Sequence, residues 1–426
     1  MERILVKDTT KKIGKKVLLK GWINNLRDHG KISFIDLRDR SGIIQVFATS
    51  ELSNQVHTQS AVEIEGEIKN RPEKLINPNL ETGKIEVEAS KLTVISKSRE
   101  LPIDMGKEEL ELELPTLLDL RPLTLKNPKQ TQIFKIQAEI AKNFRDAAEA
   151  LDCTEIFVPT ISASATEGGA EVFNIKYYDK EAFLTQSPQL YKQIMVGVFE
   201  RVYTISHAYR AEPSITTRHL SEVVQLDCEI GFIDGFEELL NALEFVGKSL
   251  VKVGVKEKPL VSTKIPRLKL REAQKIIEER TGRNLTKEMD LNPEDEIEIC
   301  AWAQEVHKSD FVTITHFPTK KRAFYTMPDP EEPEYSLSYD LLFRGIEISS
   351  GSQRINDYDT LVKAIKERSL NPKDFEMYLT AFEYGMPLEG GFSFGLERLT
   401  MKLLNLQNVR EASLFPRDMK RVDKLL

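Results

Sequence analysis

Cysteine is scarce in this sequence of 426 residues, and long apolar runs are missing. The three cysteines, Cys153, Cys228 and Cys300, form no C-x-x-C pair, so neither a disulfide framework nor a zinc site is indicated. No apolar run approaches the roughly 20 residues that span a membrane. The basic N-terminus also lacks the apolar core of a secretory signal. We therefore expect a cytoplasmic protein without a membrane partner.

A large positive charge is missing too, since the formal net charge is −7. This argues against broad nucleic-acid binding. Residues 1–100 nevertheless hold 18 Lys and Arg against 14 Asp and Glu, which leaves −11 on the remainder. A basic module on an acidic body indicates that the module meets a polyanion. On charge alone, a lysine-rich solvated surface is the favoured explanation.

Short strand-like segments make up the first hundred residues. Apolar and polar residues alternate in part along five such segments: KVLLKGWI, KISFIDLRD, GIIQVFAT, AVEIEGEI and KIEVEASKLTVIS. Five short strands with a basic bias predict an OB-fold β-barrel over residues 1–100, a common oligonucleotide binder. A barrel without a ligand is the alternative.

The remainder of the chain predicts a second domain. Residues 101–126 hold three prolines and many charges, which indicates a hinge. Strands and helices over 127–426 predict an α+β domain built on an antiparallel sheet flanked by helices, with a helical insertion at about 233–320. TEIFVPT predicts a strand ending at Pro159. A helix is predicted over 128–151, where apolar residues recur three or four apart: Ile133, Ile136, Ile140, Phe144, Ala147 and Leu151.

A hairpin near the middle of the chain concentrates charge. In VVQLDCEIGF the even positions, from Val224 to Phe232, are apolar and predict a core face, so Asp227 and Glu229 share the opposite face. Carboxylates beside arginine suit a ligand with both anionic and cationic groups, and arginine is the natural bidentate partner of phosphate. A solvated sheet face is the alternative. The preceding strand and the loop add Arg210, Glu212, Arg218 and His219.

The C-terminal part offers hard oxygen ligands and glycines. Asp340 and Glu347 are seven residues apart, so they face one site only if the chain turns or bulges, which Arg344-Gly345 permits. Such ligands suit Mg²⁺ when phosphate oxygens complete its shell. GGFSFGLERL then places glycines, which let backbone approach a nucleotide, before a helix carrying Arg398. No G-x-x-x-x-G-K-[ST] occurs, so a P-loop is excluded.

Together these motifs resemble a known family. The class II aminoacyl-tRNA synthetases have three motifs in a fixed order. Pro159 resembles motif 1, RAE with RHL resembles motif 2, and GLER resembles motif 3. The N-terminal GW, LRDRSG and Q pattern resembles the anticodon-binding OB domain of the aspartate, asparagine and lysine enzymes. The archaeal and eukaryotic type of aspartyl-tRNA synthetase is resembled by four further segments: TEGGAEVF, QSPQLYKQ, YTMPDP and LFPRD.

The resemblance implies ATP and Mg²⁺ as cofactors. It makes Arg210 and Arg398 the catalytic residues, because activating an amino acid needs positioning and cations but no protein nucleophile. The ATP-binding positions it implies are Arg210, Glu212, Arg218, His219, Leu220, Glu347 and Arg398. The implied magnesium positions are Asp340, Glu347 and Ser350.

The resemblance also implies L-aspartate as the amino acid. Lys192 and Arg354 match the two cations that bind its side chain, and a neutral amide would leave Lys192 partly unpaired in a dry pocket. A solvated helix lysine is the alternative for Lys192 on general grounds. The implied aspartate-binding residues are Glu167, Ser187, Gln189, Lys192, Asp227, Ser350 and Arg354.

The expected function is therefore aspartate–tRNA ligase, acting on tRNA(Asp) as a homodimer whose interface includes motif 1, helix 128–151 with TEIFVPT. Two alternatives stay open: an asparagine–tRNA ligase and a catalytically silent tRNA-binding paralogue. The asparagine enzymes lack the lysine at position 192 and prefer Glu where this chain has Asp227.

In the barrel, the resemblance implies that Arg27, Phe34 and Gln45 contact the anticodon, since a stacking aromatic beside an amide takes unstacked bases. A core phenylalanine is the alternative for Phe34. Discriminating relatives of the archaeal type carry a bulky Trp two residues after Trp22, where this chain has Asn24. The smaller residue predicts that tRNA(Asn) is also charged.

Two positions depart from the family pattern. Val223 lies where an aromatic residue usually stacks on adenine, so ATP binding is expected to depend more on the phosphates. Glu389 replaces the His of PPHGG and reverses the charge near the amino-acid pocket.

Overall fold

A computed structural model describes residues 1–54, 56–163, 171–213 and 216–422. The chain divides into two compact units, Met1–Gln130 and Thr131–Leu426. No helix within the described ranges is long and apolar enough to cross a membrane.

The first unit contains a closed barrel, as predicted for an OB fold. Five strands of its described residues close in the order β1-β2-β3-β5-β4. Alternate residues of each strand fill the barrel, so that Ile35 and Leu37 are fully buried. The strands are β1 (Lys16–Asp28), β2 (Ile32–Asp39), β3 (Gly42–Thr49), β4 (Ala61–Asn70) and β5 (Ile85–Ser96); short helices are α1 (Ser50–Ser53), α2 (Leu114–Asp119) and α3 (Arg121–Thr124).

An eight-stranded sheet forms the centre of the described part of the second unit. Its order is β12-β13-β14-β15-β16-β11-β10-β6, where the strands are β6 (Thr154–Glu155), β10 (Arg201–Tyr209), β11 (Glu222–Gly231), β12 (Arg267–Lys269), β13 (Phe311–Thr315), β14 (Ser338–Phe343), β15 (Ile346–Gln353) and β16 (Glu389–Gly395). The pairs between β13 and β10 are antiparallel as predicted, whereas both edge pairs are parallel. The small strands β7 (Ile161–Ser162), β8 (Asn174–Tyr177) and β9 (Lys180–Leu184) form a separate sheet.

Helices cover the sheet and complete its core. The predicted apolar face of the helix that begins at Pro128 is buried inside the chain, where Ile140 and Phe144 are fully enclosed. The segment 233–320 supplies helices and also the edge strands β12 and β13. The helices are α4 (Pro128–Glu149), α5 (Gln189–Phe199), α6 (Phe236–Leu250), α7 (Leu270–Thr281), α8 (Pro293–His307), α9 (Tyr358–Glu367), α10 (Glu376–Glu383) and α11 (Leu396–Leu403).

Two local predictions were wrong. Phe232 is 67% exposed, because β11 ends at Gly231 and Phe232 has a positive φ of 52°, which ends the alternation. The strand predicted to end at Pro159 is regular only over β6. One further backbone bond joins Ile156 to Tyr203, and proline has no N–H to extend the ladder.

One close approach fixes how β16 lies beside β11. A Cβ on Gly391 would come within 1.9 Å of Glu229 Oε2 and 2.3 Å of the Cys228 carbonyl oxygen. Only glycine leaves room there for the Glu229 carboxylate, which therefore lies directly against the backbone of its neighbour.

Candidate active site

Two cavities open on the same face of the large sheet. We call them the arginine cavity, which contains Arg218 and Arg398, and the lysine cavity, which contains Lys192 and Arg354. Both are lined by the same four residues where they meet: Arg210, Gln225, Ser350 and Ser393. Arg210 follows directly on β10, and its backbone N–H donates to the Ser221 carbonyl at 2.9 Å. The two cavities therefore form one continuous site.

The arginine cavity gathers every residue that the sequence predicts for ATP. Arg398, at the start of α11, donates from Nε to the Arg218 carbonyl and from Nη1 to the Glu347 carbonyl, both at 3.3 Å. Arg218 is in turn held by the carboxylate of Glu296 on α8. Three guanidinium groups thus converge where a polyphosphate would neutralise them. The lining includes Arg210, Glu212, Arg218, His219, Leu220, Glu347 and Arg398.

His219 is neutral near pH 7 in this cavity. Burial lowers the pKa of its imidazole, and the neighbouring Arg398 lowers it further. Its Nδ1 lies 2.6 Å from the Thr216 hydroxyl. The ring can therefore hydrogen-bond to a phosphate oxygen without adding a fourth positive charge.

The hairpin of β14 and β15 brings the predicted magnesium ligands together. Asp340 lies opposite Ser350, and the register shifts between Leu341 and Leu342. The chain then turns through Arg344-Gly345, whose φ angles are 47° and 80°. The turn or bulge required between Asp340 and Glu347 is confirmed.

These oxygen donors fit a hard divalent cation. Asp340 Oδ1 is buried and has no hydrogen-bond partner among the described residues. Burial raises the pKa of Glu347, and the nearby Asp340 carboxylate raises it further. Within the described ranges, no group of three or more His, Cys, Asp or Glu is arranged for a metal. A cation here would need oxygens from a ligand as well, as Mg²⁺ commonly does.

Sequence reasoning missed Arg322, which lies between these groups. Its Nη2 donates to Asp340 Oδ2 at 2.7 Å and its Nη1 to Ser350 Oγ at 3.3 Å. Its guanidinium also stacks 3.9 Å from the ring centre of Phe317. The residue lies in an irregular segment, so no periodicity pointed to it; the run of three cations in TKKRAF was the available signal.

The lysine cavity is built on a buried set of four charges. Lys192 Nζ, near the start of α5, lies 2.9 Å from Asp227 Oδ1 and 3.1 Å from Glu229 Oε2. Arg354 Nε donates to Glu229 Oε1 at 2.7 Å. All four side chains are at most 4% exposed, so the alternative of a solvated lysine is wrong. Glu229 is the carboxylate that both cations share, and it was missing from the predicted site.

This cluster leaves one acceptor unused. Asp227 Oδ2 is buried without a hydrogen-bond partner among the described residues, and burial raises the pKa of this carboxyl. An ammonium group of a ligand would satisfy that oxygen. Burial alone would lower the pKa of Lys192, but Asp227 and Glu229 raise it, so the lysine stays charged.

Six of the seven predicted aspartate-binding residues line the lysine cavity: Ser187, Gln189, Lys192, Asp227, Ser350 and Arg354. Glu167, the seventh, lies outside the described residues.

The predicted anticodon residues share the outer surface of the barrel. Phe34 alternates with the core residue Ile35 and lies 5.9 Å, ring to ring, from Phe47. It is therefore not a core phenylalanine. Arg27 lies opposite Phe34 in the strand pair and donates from Nη2 to Gln45 Oε1 at 3.3 Å. The three side chains form one polar and aromatic patch in which Arg27 is exposed and Phe34 and Gln45 are half-buried.

Comparison with known proteins assigns the family. Residues 113–419 match the family described as tRNA synthetases class II (D, K and N), and residues 17–95 match the OB-fold nucleic acid binding domain. The chain belongs to the class II tRNA synthetases.

Its similarity to individual synthetases extends over nearly the whole length. It is 41% identical to the aspartate–tRNA(Asp/Asn) ligase of Thermus thermophilus, with 99% of each chain covered. It is 38% identical to the aspartate–tRNA(Asp) ligase of Pyrococcus horikoshii, with 96% of each covered. The solved asparaginyl-tRNA synthetase of Pyrococcus horikoshii, complexed with asparaginyl-adenylate, superposes with a TM-score of 0.87 at 29% identity, covering 99% of each chain.

The charge cluster yields a stability prediction. Lys192→Met should destabilise the catalytic unit by about 3–5 kcal/mol, because it leaves Asp227 and Glu229 buried without their shared cation. Urea unfolding followed by tryptophan fluorescence measures the change. Lys142→Met is the matched control, since this exposed lysine pairs with Asp146 on the surface, and it should change stability by less than about 0.5 kcal/mol. Equal effects of the two substitutions would contradict the cluster's role.

Proposed function

We propose that this synthetase is an aspartate–tRNA ligase that uses ATP and Mg²⁺ to activate L-aspartate and transfers it to the 3′ end of tRNA. The supporting observation is the position of Arg210 at the junction of the two cavities. A guanidinium there can hold the α-phosphate of ATP beside the carboxylate that attacks it.

The reaction needs no nucleophile from the protein. The α-carboxylate of aspartate attacks the α-phosphorus, the bond to the β-phosphate bridging oxygen breaks, and pyrophosphate leaves. Arg210 holds the α-phosphate, while Arg218 and Arg398 hold the outer phosphates. Asp340, Glu347 and Ser350 would hold magnesium, which supplies charge neutralisation on the phosphate oxygens. A terminal ribose hydroxyl of tRNA then attacks the mixed anhydride and releases AMP.

The lysine cavity favours aspartate over asparagine. Asp227 receives the substrate ammonium on its unused oxygen, and Lys192 and Arg354 face the side-chain carboxylate. An amide in place of that carboxylate would give these cations a weaker acceptor, which is costly in a buried pocket. The relatives at 38–41% identity are named aspartate ligases, whereas the asparaginyl enzyme is 29% identical. An asparagine–tRNA ligase is the second candidate, supported by that structural likeness.

The domain assignments follow from this function. The barrel in residues 1–100 reads the anticodon through Arg27, Phe34 and Gln45. Residues 101–126 are the connection between this barrel and residues 127–426, which carry out the chemistry. A cytoplasmic location stays a prediction from the few cysteines, all three of which are unpaired.

Aspartate-dependent pyrophosphate exchange tests the proposal. The parent protein should exchange with aspartate and not with asparagine. Arg210→Ala should lose transition-state stabilisation of about 3 kcal/mol, or roughly 150-fold in rate. Arg280→Ala, which removes a surface arginine on α7, is the control and should keep full activity. An Arg210→Ala protein within tenfold of the parent would rule out this role, and a parent inactive with both amino acids would indicate a silent paralogue.

We further propose that both tRNA(Asp) and tRNA(Asn) are charged. Their anticodons differ only at the third position, which few contacts can read. Asn24 lies on the outer side of β1, where it accepts a hydrogen bond from Arg38 Nε at 3.2 Å, and the Arg38 guanidinium lies 5.4 Å from the ring centre of the partly exposed Trp22. This small side chain leaves more room beside Trp22 than a second indole would.

Asn24→Trp should therefore narrow tRNA use toward tRNA(Asp). The measurement supplies labelled aspartate with each purified tRNA and compares kcat/KM. The parent should show a ratio near unity, and the variant should favour tRNA(Asp) by about tenfold, since one crowded base contact is worth about 1–3 kcal/mol. Asn54→Trp, on a surface turn of the same barrel, is the control. A parent preference beyond about a hundredfold, or 2.7 kcal/mol, would contradict the argument.

A homodimer is the proposed assembly. Of the predicted interface, the apolar face of α4 does not support a dimer, because it is buried within its own chain, whereas Phe157 of TEIFVPT does, because its side chain is 87% exposed. A second group of exposed apolar residues lies near the end of β11. A Cβ on Gly231 would come within 2.7 Å of Val196 on α5 and 3.1 Å of Pro387 after α10, so these three elements are neighbours. Exposed apolar side chains on these neighbouring elements are Val198, Phe199, Phe232 and Tyr384. Such a patch indicates a protein interface.

Light scattering at micromolar concentration should give twice the chain mass of 48.7 kDa. Phe232→Asp should shift the protein toward the monomer, because a charge in an apolar interface is desolvated without a partner. Met289→Asp, at an exposed methionine on the segment before α8, should leave the mass unchanged. A monomeric parent would refute the assembly.

A further inference from the structure

A buried carboxyl group lies just behind the lysine cavity without lining it. Glu389, the first residue of β16, is fully buried. Its Oε1 accepts a hydrogen bond from Gln193 Nε2 at 2.9 Å, whereas its Oε2 is buried without a partner among the described residues. The mechanism proposed above makes no use of this group.

Two glutamines connect this carboxyl group to the site. Arg354 Nη2 donates to Gln189 Oε1 at 3.4 Å, Gln189 Nε2 donates to Gln193 Oε1 at 2.9 Å, and Gln193 Nε2 donates to Glu389. Tyr378 donates its hydroxyl to the same Gln193 oxygen at 3.2 Å. The result is a path of three hydrogen bonds from the substrate-facing arginine to Glu389, which Tyr378 joins at Gln193.

The direction of this path is fixed by chemistry. Arginine can only donate, so Gln189 must present its oxygen to Arg354 and its amide N–H groups to Gln193. Gln193 must then present its own N–H groups to position 389, where an acceptor is required. Glu389 supplies that acceptor and so completes the path that holds the Gln189 amide at the cavity wall.

The charge of Glu389 matters to an acidic ligand. Lys192 and Arg354 balance Asp227 and Glu229, so the charges of this buried set of four side chains sum to zero. An ionised Glu389 would add a negative charge behind a pocket for a second carboxylate. The charged or titratable groups that face Glu389 are Glu229 on β11, Arg354 after β15, Lys192 on α5 and Tyr378 on α10. Burial raises the pKa of Glu389 well above its ordinary value, and Glu229 raises it further.

We propose that Glu389 is a positioning residue for the amino acid: in its neutral form it ends the hydrogen-bond path that orients Gln189 beside Arg354, and its ionisation weakens the binding of an acidic amino acid. This rests on the proposed aspartate specificity. The neutral form is present below the raised pKa, so aspartate binding is strongest there and declines as the pH rises through it. Asparagine, which carries no side-chain charge, is affected less.

Two variants separate the acceptor from the charge. Glu389→Gln keeps an acceptor and cannot ionise, and Glu389→Met removes the acceptor at similar volume. We would measure KM for aspartate and for ATP by pyrophosphate exchange between about pH 6 and 9.5. Toward the alkaline end, KM for aspartate should rise at least threefold more in the parent than in Glu389→Gln, which shares only the loss of the substrate's own ammonium proton. Glu389→Met should raise KM for aspartate about tenfold at every pH, because Gln193 loses its acceptor. KM for ATP should stay within twofold throughout.

Controls separate positioning from general stability. Ile277→Val trims a buried residue of α7 in a different core cluster and should leave KM for aspartate unchanged at a similar loss of Tm. If Glu389→Met does not fold, Tyr378→Phe, which removes the second donor to Gln193, serves instead and should raise KM for aspartate only. Parallel pH profiles of parent and Glu389→Gln, or an unchanged KM in the variant without the acceptor, would overturn the inference. A parent without aspartate-dependent exchange would instead overturn the proposed function.

Discussion

The Glu229 carboxylate holds the catalytic unit's site together, because it is the one anion that both Lys192 and Arg354 contact. It is completely buried; the Arg354 guanidinium donates to both of its oxygens, and the Lys192 ammonium lies against Oε2. Removing either cation would leave a charge in a dry interior, so the three residues behave as one unit. The sheet is adapted to this unit, since a Cβ at Gly391 would collide with the carboxylate.

The spacing of apolar residues along the chain predicted the parts of the structure in which a regular helix or strand decides whether a side chain faces the core. The buried face of α4, the barrel strands and the polar face of β11 follow from periods of 3.6 and 2. The residues of the catalytic site were predicted through family motifs, and all the described ones except Asp340 line one of the two cavities. Phe232 shows where a period stops being informative, because a single positive φ ends the strand.

Partners across the fold could not be read from local patterns. The alternation of β11 placed Glu229 on the correct face of the sheet. The two cations that contact it, Lys192 on α5 and Arg354 after β15, are more than thirty residues away along the chain. Arg322 lies in irregular backbone, where no period applies, and its importance comes from Asp340 on a neighbouring strand. Glu389 differs in charge from the family pattern, and only the amide path through Gln193 shows how the fold accommodates it.

The contact between Arg218 and Glu296 bears on how far the enzyme could be reduced in size. Glu296 belongs to α8, within the segment 233–320, which a designer of a minimal catalytic core would choose to delete as a helical embellishment. Deletion would expose the flank of β14, because β12 and β13 are the strands that cover it. It would also release Arg218 from its anchor on that side of the arginine cavity. A shortened enzyme would therefore have to replace both a sheet edge and a carboxylate, because the segment supports one side of the arginine cavity.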